Sequence, residues 1–332
     1  MKPLSIEGMG ILCARGRGLG PFEKALKEGW IAPSPSPDGR MAYRIAPEDL
    51  VDKDVLKQAR RADRFSKLTV LAASDAVRDS GVPLEEIRKS TGMIVATAFG
   101  THATIFKFLD NIIDYGECNV SPTTFAHSVH NAAASYVASV LGCKGPAMTI
   151  TQFYFSFQQA LLLAWAWLNE GRVERVLVGI AEECSLPMEY ICEEKLSVAT
   201  DGKMSPLGCL EKPKVVPGEG SAFFLVTLDP AKKKYGAFAG IEMGKDARGW
   251  EDVDLSILGT NAMAGSEKIY ERAVKEGAPV AAYSNIYGGL MTSGGFECVA
   301  AALMLKNQTS LKAIQCITHN CKEELSFVKV TR

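Results

Sequence analysis

Histidine is scarce in this chain: four among 332 residues, His102, His127, His130 and His319. The nine cysteines are odd in number and no two stand at C-x-x-C spacing. They read as reduced interior thiols rather than disulfides or a zinc site. His127 and His130 lie close to Asn131, but no carboxylate or cysteine stands where it would complete a metal site, and neither a metal nor another cofactor is expected. An excess of either charge is also missing. The net charge is −1, and basic runs occur only at residues 57–64 and 232–234, so nucleic acid and anionic membranes are not expected partners. The longest apolar run, residues 160–168, is too short to cross a bilayer, and nothing at the N-terminus resembles a signal peptide. A cytoplasmic location is the expectation. Short repeats and low-complexity tracts are absent too.

What is present is a chain with 47% hydrophobic residues, long enough for two ordinary domains. Its organising stretch is residues 142–183. A Gly-Pro turn leads into the β-branched run Thr149-Ile150-Thr151, followed by a nearly uninterrupted apolar helix and a short strand at residues 176–179. Residues 160–168 are apolar on every side, which places that helix inside the molecule. A helix entered directly from a strand offers free N–H groups and the positive end of its dipole at the turn. Chemistry is expected there. Other strands are read at residues 4–12, 92–98, 222–226 and 237–243, and helices at 21–29, 60–80, 105–115 and 132–141. Residues 30–47 read as a surface excursion and 121–131 as a loop.

The order Gly145-Pro146, strand, elbow, buried helix and Gly179-Ile180-Ala181-Glu182 resembles the β-ketoacyl synthases of the thiolase superfamily. Two further stretches carry the same resemblance: Arg60-Arg61-Ala62-Asp63-Arg64-Phe65 ahead of an Ala-rich helix, and Pro217-Gly218-Glu219-Gly220. The glutamate between two glycines is read as part of a tight turn, with a structural role.

Where the family carries its chemistry, this sequence departs from it. Eight residues after Pro146, in place of the nucleophilic cysteine, stands Tyr154, flanked by Phe153 and Phe155. The two family histidines map onto Leu258, in Ile257-Leu258-Gly259-Thr260, and onto Gly288, counted back from Gly294-Gly295-Phe296-Glu297. The accompanying lysine falls at or beside Tyr283, and the Gly-Phe-Gly-Gly loop is missing from residues 318–329. Leucine and glycine have no side-chain donor, and a tyrosine hydroxyl at pKa ~10 is a poor nucleophile without a nearby base. Phe153, Phe155 and Phe157 are therefore expected to fill what would be the acyl pocket.

The resemblance implies an α/β thiolase-like fold of two similar βαβαβ halves in α-β-α-β-α layers, with halves at residues 1–235 and 236–332. It also implies a two-fold pairing surface, expected at Phe125, His127, His130, Asn131, Met148 and Ile150. Together these point to a non-catalytic, chain-length-factor-like subunit that pairs with an active β-ketoacyl synthase served by an acyl carrier protein in fatty acid, polyketide or polyene biosynthesis. Two other readings stay open: a synthase or acyltransferase using non-standard residues, and a homodimer that binds an acyl chain.

Overall fold

Strand β1 (Leu4–Cys13) is buried along its whole length and carries glycine where a helix must lie close. In the computed structural model, which describes residues 1–36, 39–195, 198–199, 201–205, 207, 214–260, 266–274 and 277–332, a Cβ at Gly10 would stand 2.1 Å from the Ala72 carbonyl oxygen. That close approach seats helix α1 (Arg64–Ser80) on β1. The helix begins four residues later than the Arg60 read from the sequence. Asp63 adopts extended backbone and its carboxylate accepts the Ser66 N–H at 2.9 Å, so it is the cap. Gly81 in the left-handed conformation ends it.

The first half continues with β2 (Thr91–Thr97), α2 (His102–Tyr115), α3 (Pro122–His127), α4 (Ala132–Leu141), β3 (Ala147–Thr151), α5 (Ser156–Asn169), β4 (Arg175–Glu182), α6 (Leu186–Lys195) and β5 (Gly220–Thr227). The second half supplies β6 (Ala237–Gly244), β7 (Leu255–Leu258), β8 (Val280–Ala281), α7 (Gly294–Asn307), β9 (Ala313–His319) and β10 (Leu325–Thr331). Helix α3 lies inside the stretch read as a loop. Ser121 accepts the Thr124 N–H and Pro122 takes the first helical position, a start that needs no apolar periodicity.

The main sheet runs β8-β7-β9-β10-β6-β1-β5-β4-β2-β3. Each half has the same internal order: its third strand at the edge, then the second, fourth, fifth and first. Directions repeat as well. β2 is parallel to β3 and β4 while β5 runs antiparallel to β4, and β7 is parallel to β8 and β9 while β10 runs antiparallel to β9. The halves meet where β1 pairs with β6 through Leu4 and Ser5. This is the duplicated thiolase-like α/β architecture, visible in topology although not as sequence identity.

Helices α5 and α7 occupy equivalent places, each joining the third strand of its half to the fourth. Both contribute to one buried cluster with strands of the two halves, while α1 and α4 cover the other face of the first half. Phe157, at the start of α5, lies in this interior with its ring centroid 5.7 Å from Phe224 of β5 and 6.4 Å from Phe238 of β6. Each such ring contributes about 1.5–3 kcal/mol by burial. Among the described residues no helix is long and apolar enough to cross a membrane.

Candidate functional site

The elbow between β3 and α5 keeps a strained backbone. Phe155 has φ 63°, and among the described residues only Glu323 shares a positive φ without being glycine. The first intrahelical bond runs from Gln159 N–H to the Phe155 carbonyl at 2.9 Å, leaving the amides of Ser156, Phe157 and Gln158 at the open end of the helix dipole. Charge stabilisation is thus still on offer here. Tyr154, the residue expected at the nucleophile position, is not poised to use it: burial, with Cys321 nearby, pushes its hydroxyl up to about 12, so it is protonated at neutral pH.

The three phenylalanines part company. Phe157 joins the core between the halves, and Phe155 is buried at the elbow itself. Phe153 is 48% exposed and meets Phe99 edge-on at 4.7 Å.

Several elements converge beside this elbow. Gln158 on α5 donates to Thr318 at the end of β9 (2.9 Å). Glu297 on α7 lies against Gly259, where a Cβ would stand 2.6 Å from Oε1, and accepts from the Tyr287 hydroxyl at 3.5 Å. The family's motif turns therefore surround the first turn of α7. Leu258 and Gly288, the residues expected at the two histidine positions, bring no side-chain donor to it. Leu258 is buried with Ile269, Tyr270, Ile317, Leu325 and Phe327 in an apolar cluster. Gly288 is at φ 89°, and a Cβ there would stand 2.7 Å from Gly218 Cα and 2.8 Å from Gly218 N. In the reverse direction, a Cβ on Gly218 would come within 2.0 Å of the Tyr287 carbonyl oxygen. Two backbones cross where a histidine side chain would begin.

Three buried carboxyls line or approach this region. Glu182 accepts the Ala98 and Phe99 N–H groups and the Thr292 hydroxyl, and burial raises it to about 7 despite them. Glu183 rises to about 8 through burial, then repulsion from Asp63 and Glu219, and its Oε2 has no hydrogen-bond partner. Glu297 rises to about 8, mainly by burial. Glu219 behaves differently: it accepts Ile45 N–H at 2.9 Å and a double contact from the Arg64 guanidinium, tying the segment read as a surface excursion to α1, whereas Gly218 and Gly220 do not take the positive φ expected of a tight turn, because the chain runs on into β5. The cavity walled by Phe99, Glu182, Glu183, Met188, Leu290 and Met291 is about 20 Å³. That space suits about one water, whereas ligand pockets run to roughly 300–1,000 Å³.

The residues expected to pair with a partner sit on one side of the first half. β3 is the edge strand, with Met148 47% exposed and Ile150 half-buried. Phe125 is 61% exposed and packs its ring 5.6 Å from Phe108 of α2. Helix α2 buries only His102 and exposes Phe106, Leu109, Ile113 and Tyr115. His127 contacts the Tyr136 hydroxyl at 2.7 Å, Asn131 is exposed at the start of α4, and His130 packs directly over Gly100. No cluster of three metal-ligating side chains occurs among the described residues. Sequence reasoning passed over Gly218 as a steric element and over His102, which meets Ser185 at 2.8 Å. Neither leaves a local signal, because both depend on segments 70 or more residues away.

Comparison with known proteins gives a consistent result. A β-ketoacyl synthase from Burkholderia phymatum STM815 superposes with a TM-score of 0.86 over 100% of both chains at 17% identity. The ishigamide ketosynthase/chain length factor superposes at 0.83 over 99% of each chain at 13% identity. In sequence, 3-oxoacyl-(acyl-carrier-protein) synthase 2 of Synechocystis sp. is 24% identical over 264 residues, which are 74% of this chain and 64% of that protein. The chain thus spans less than two thirds of that relative's length. Residues 1–231 match the β-ketoacyl synthase N-terminal domain, and with the duplicated strand order and the elbow in place, the chain belongs to the β-ketoacyl synthase family of the thiolase superfamily.

Proposed function

We propose that this chain is a ketosynthase-like subunit with no condensing activity of its own, which pairs with an active β-ketoacyl synthase in fatty acid, polyketide or polyene biosynthesis. The observation that carries this reading is the crossing of Gly218 and Gly288, which closes the second histidine position with backbone. A protonated Tyr154 and a buried Leu258 agree with it. Decarboxylation of a malonyl thioester needs donors aimed at the developing negative charge, and these positions supply none.

Pairing is favoured by the free edge of β3, whose outward N–H and C=O groups invite another strand, and by the apolar residues of α2 and α3 beside it. In this reading Phe125, His127, His130, Asn131, Met148 and Ile150 meet the partner. Phe153 caps the partner's acyl tunnel, and Phe155 braces the elbow beneath it. The partner supplies the cysteine and both histidines, and an acyl carrier protein delivers the substrate to the partner. Residues 1–235 then form the half that docks, and residues 236–332 the half that supports it.

Co-expression with an active β-ketoacyl synthase from the same genome tests this. The expected result is a one-to-one complex by light scattering, with acyl transfer from malonyl and acyl carrier protein substrates only in that complex. Formation of a condensation product by the isolated chain would overturn the reading that it has no condensing activity of its own; ester hydrolysis alone would not. A stable homodimer that ignores the synthase would overturn the pairing.

A further inference from the structure

One ring away from the elbow, across Phe99, His102 and Ser185 form a pair that the proposed function does not use. His102 Nδ1 faces the Gly100 carbonyl oxygen at 3.4 Å, and Nε2 lies 2.8 Å from Ser185 Oγ. A carbonyl only accepts, so Nδ1 carries the proton and Nε2 offers its lone pair to the serine hydroxyl. This is the arrangement of nucleophile, base and orienting group required for an activated serine. Burial lowers the basicity of His102, with His130 acting in the same direction, and keeps the ring neutral.

Ser185 itself is half-buried and immediately precedes α6. The first bond of that ten-residue helix runs from Glu189 N–H to the Ser185 carbonyl at 2.9 Å, so the amides of Leu186 and Met188 lie ahead of it, at the positive end of the dipole. Leu186, the next residue in the chain, is 56% exposed, and further along α6 Tyr190 (56%) and Ile191 (37%) are exposed as well. The ring of Phe99 packs edge-on against His102 at 6.1 Å.

We propose that Ser185 and His102 constitute a serine–histidine hydrolytic site for acyl thioesters or esters. Ser185 Oγ attacks the acyl carbon while its proton moves to His102 Nε2. The tetrahedral oxyanion collapses, the bond from the acyl carbon to sulfur or oxygen breaks, and the imidazolium returns the proton to the leaving thiolate or alkoxide. Water, deprotonated by the same nitrogen, then attacks the acyl-serine and releases the carboxylic acid and free serine. Every group in this site belongs to the first half, so the isolated chain carries it complete.

The test uses the purified full chain with a fluorophosphonate probe, labelled peptides being mapped by mass spectrometry, and p-nitrophenyl butyrate as substrate. Expected is covalent labelling at Ser185, abolished in Ser185→Ala, and slowed about 100-fold in His102→Gln, the usual scale of a lost general base. Butyrate release falls in parallel. Thermal melting of each variant separates loss of the base from loss of the fold. An unlabelled Ser185 in folded protein, labelling at a different serine, or equal rates for wild type and a folded His102→Gln would each overturn the proposal.

Discussion

Where β3 hands over to α5, the proposed loss of the family's chemistry lies in side chains alone: Phe155 holds a positive φ, the helix amides face the turn, and Tyr154 stands where the resemblance puts a thiol. At the equivalent handover from β8 to α7, the backbone itself has closed the site, with Gly218 packed on Gly288. The two halves share a strand order, so the difference is not one of fold. A side-chain loss leaves a frame into which chemistry can be put back. A backbone closure removes the room, and the rest of the segment has to move before a histidine fits.

The largest expected effect breaks the comparison at its common core. Phe157→Ala removes a ring shared by α5, β5 and β6, and should cost about 3–5 kcal/mol in a denaturant melt. A loss below about 1 kcal/mol would mean that the elbow helix is not what joins the halves. Next comes Gly288→His. With a Cβ driven against Gly218 and a positive φ, overpacking and backbone strain together should cost roughly 2–5 kcal/mol. A variant as stable as wild type would show that the crossing yields easily, and the contrast between the two handovers would disappear.

A smaller effect follows from Glu297, which sits under the second handover. Its carboxyl is raised from 4.5 to about 8 in the folded chain, so the folded state keeps a proton that the unfolded chain gives up above about pH 4.5. The associated stability is present below that pH and is lost as pH rises through about 8. Glu297→Gln should therefore melt about 1–2 °C above wild type at pH 8.5, equivalent to about 1 kcal/mol, and level with it at pH 4. An equal difference at both pH values would place the effect in packing instead. The smallest change is expected at the first handover: Tyr154→Cys should cost about 1 kcal/mol or less. Even when combined with Leu258→His it should yield no condensation product, because the third group is still shut out. Product from that double variant would show the closed handover to be irrelevant to catalysis.

Much of the frame was legible because it is written in contiguous signals. Gly145-Pro146, the β-branched run and the apolar helix each announce themselves within a few residues, and β1, β4, β5 and β6 lie where alternation and apolar runs put them. Two boundaries moved for a local reason: Asp63 and Ser121 are caps, and capping competes with the charged or polar stretches that surround them. Tyr154, Leu258 and Gly288 follow from counting as the positions where the resemblance puts the catalytic residues, and they enter the proposed function on that count. What counting cannot supply is contact at a distance. That Phe157 leaves its neighbours to join Phe224 and Phe238, that Gly218 crosses Gly288, and that His102 finds Ser185 are all facts of packing between remote segments. The raised carboxyls belong to the same class, because burial rather than sequence neighbours moves them.

The exposed edge of β3 carries one more consequence. A strand with Met148 and Ile150 beside an open hydrogen-bonding side is a surface that quality-control factors recognise in orphaned subunits. If that edge is normally covered, cellular abundance of this chain follows the abundance of whatever covers it: synthesis in excess is trimmed by degradation, and stoichiometry is set after translation rather than before it. Pulse-chase turnover with and without the co-expressed synthase reads this directly, the expectation being a half-life several-fold longer when both are made together.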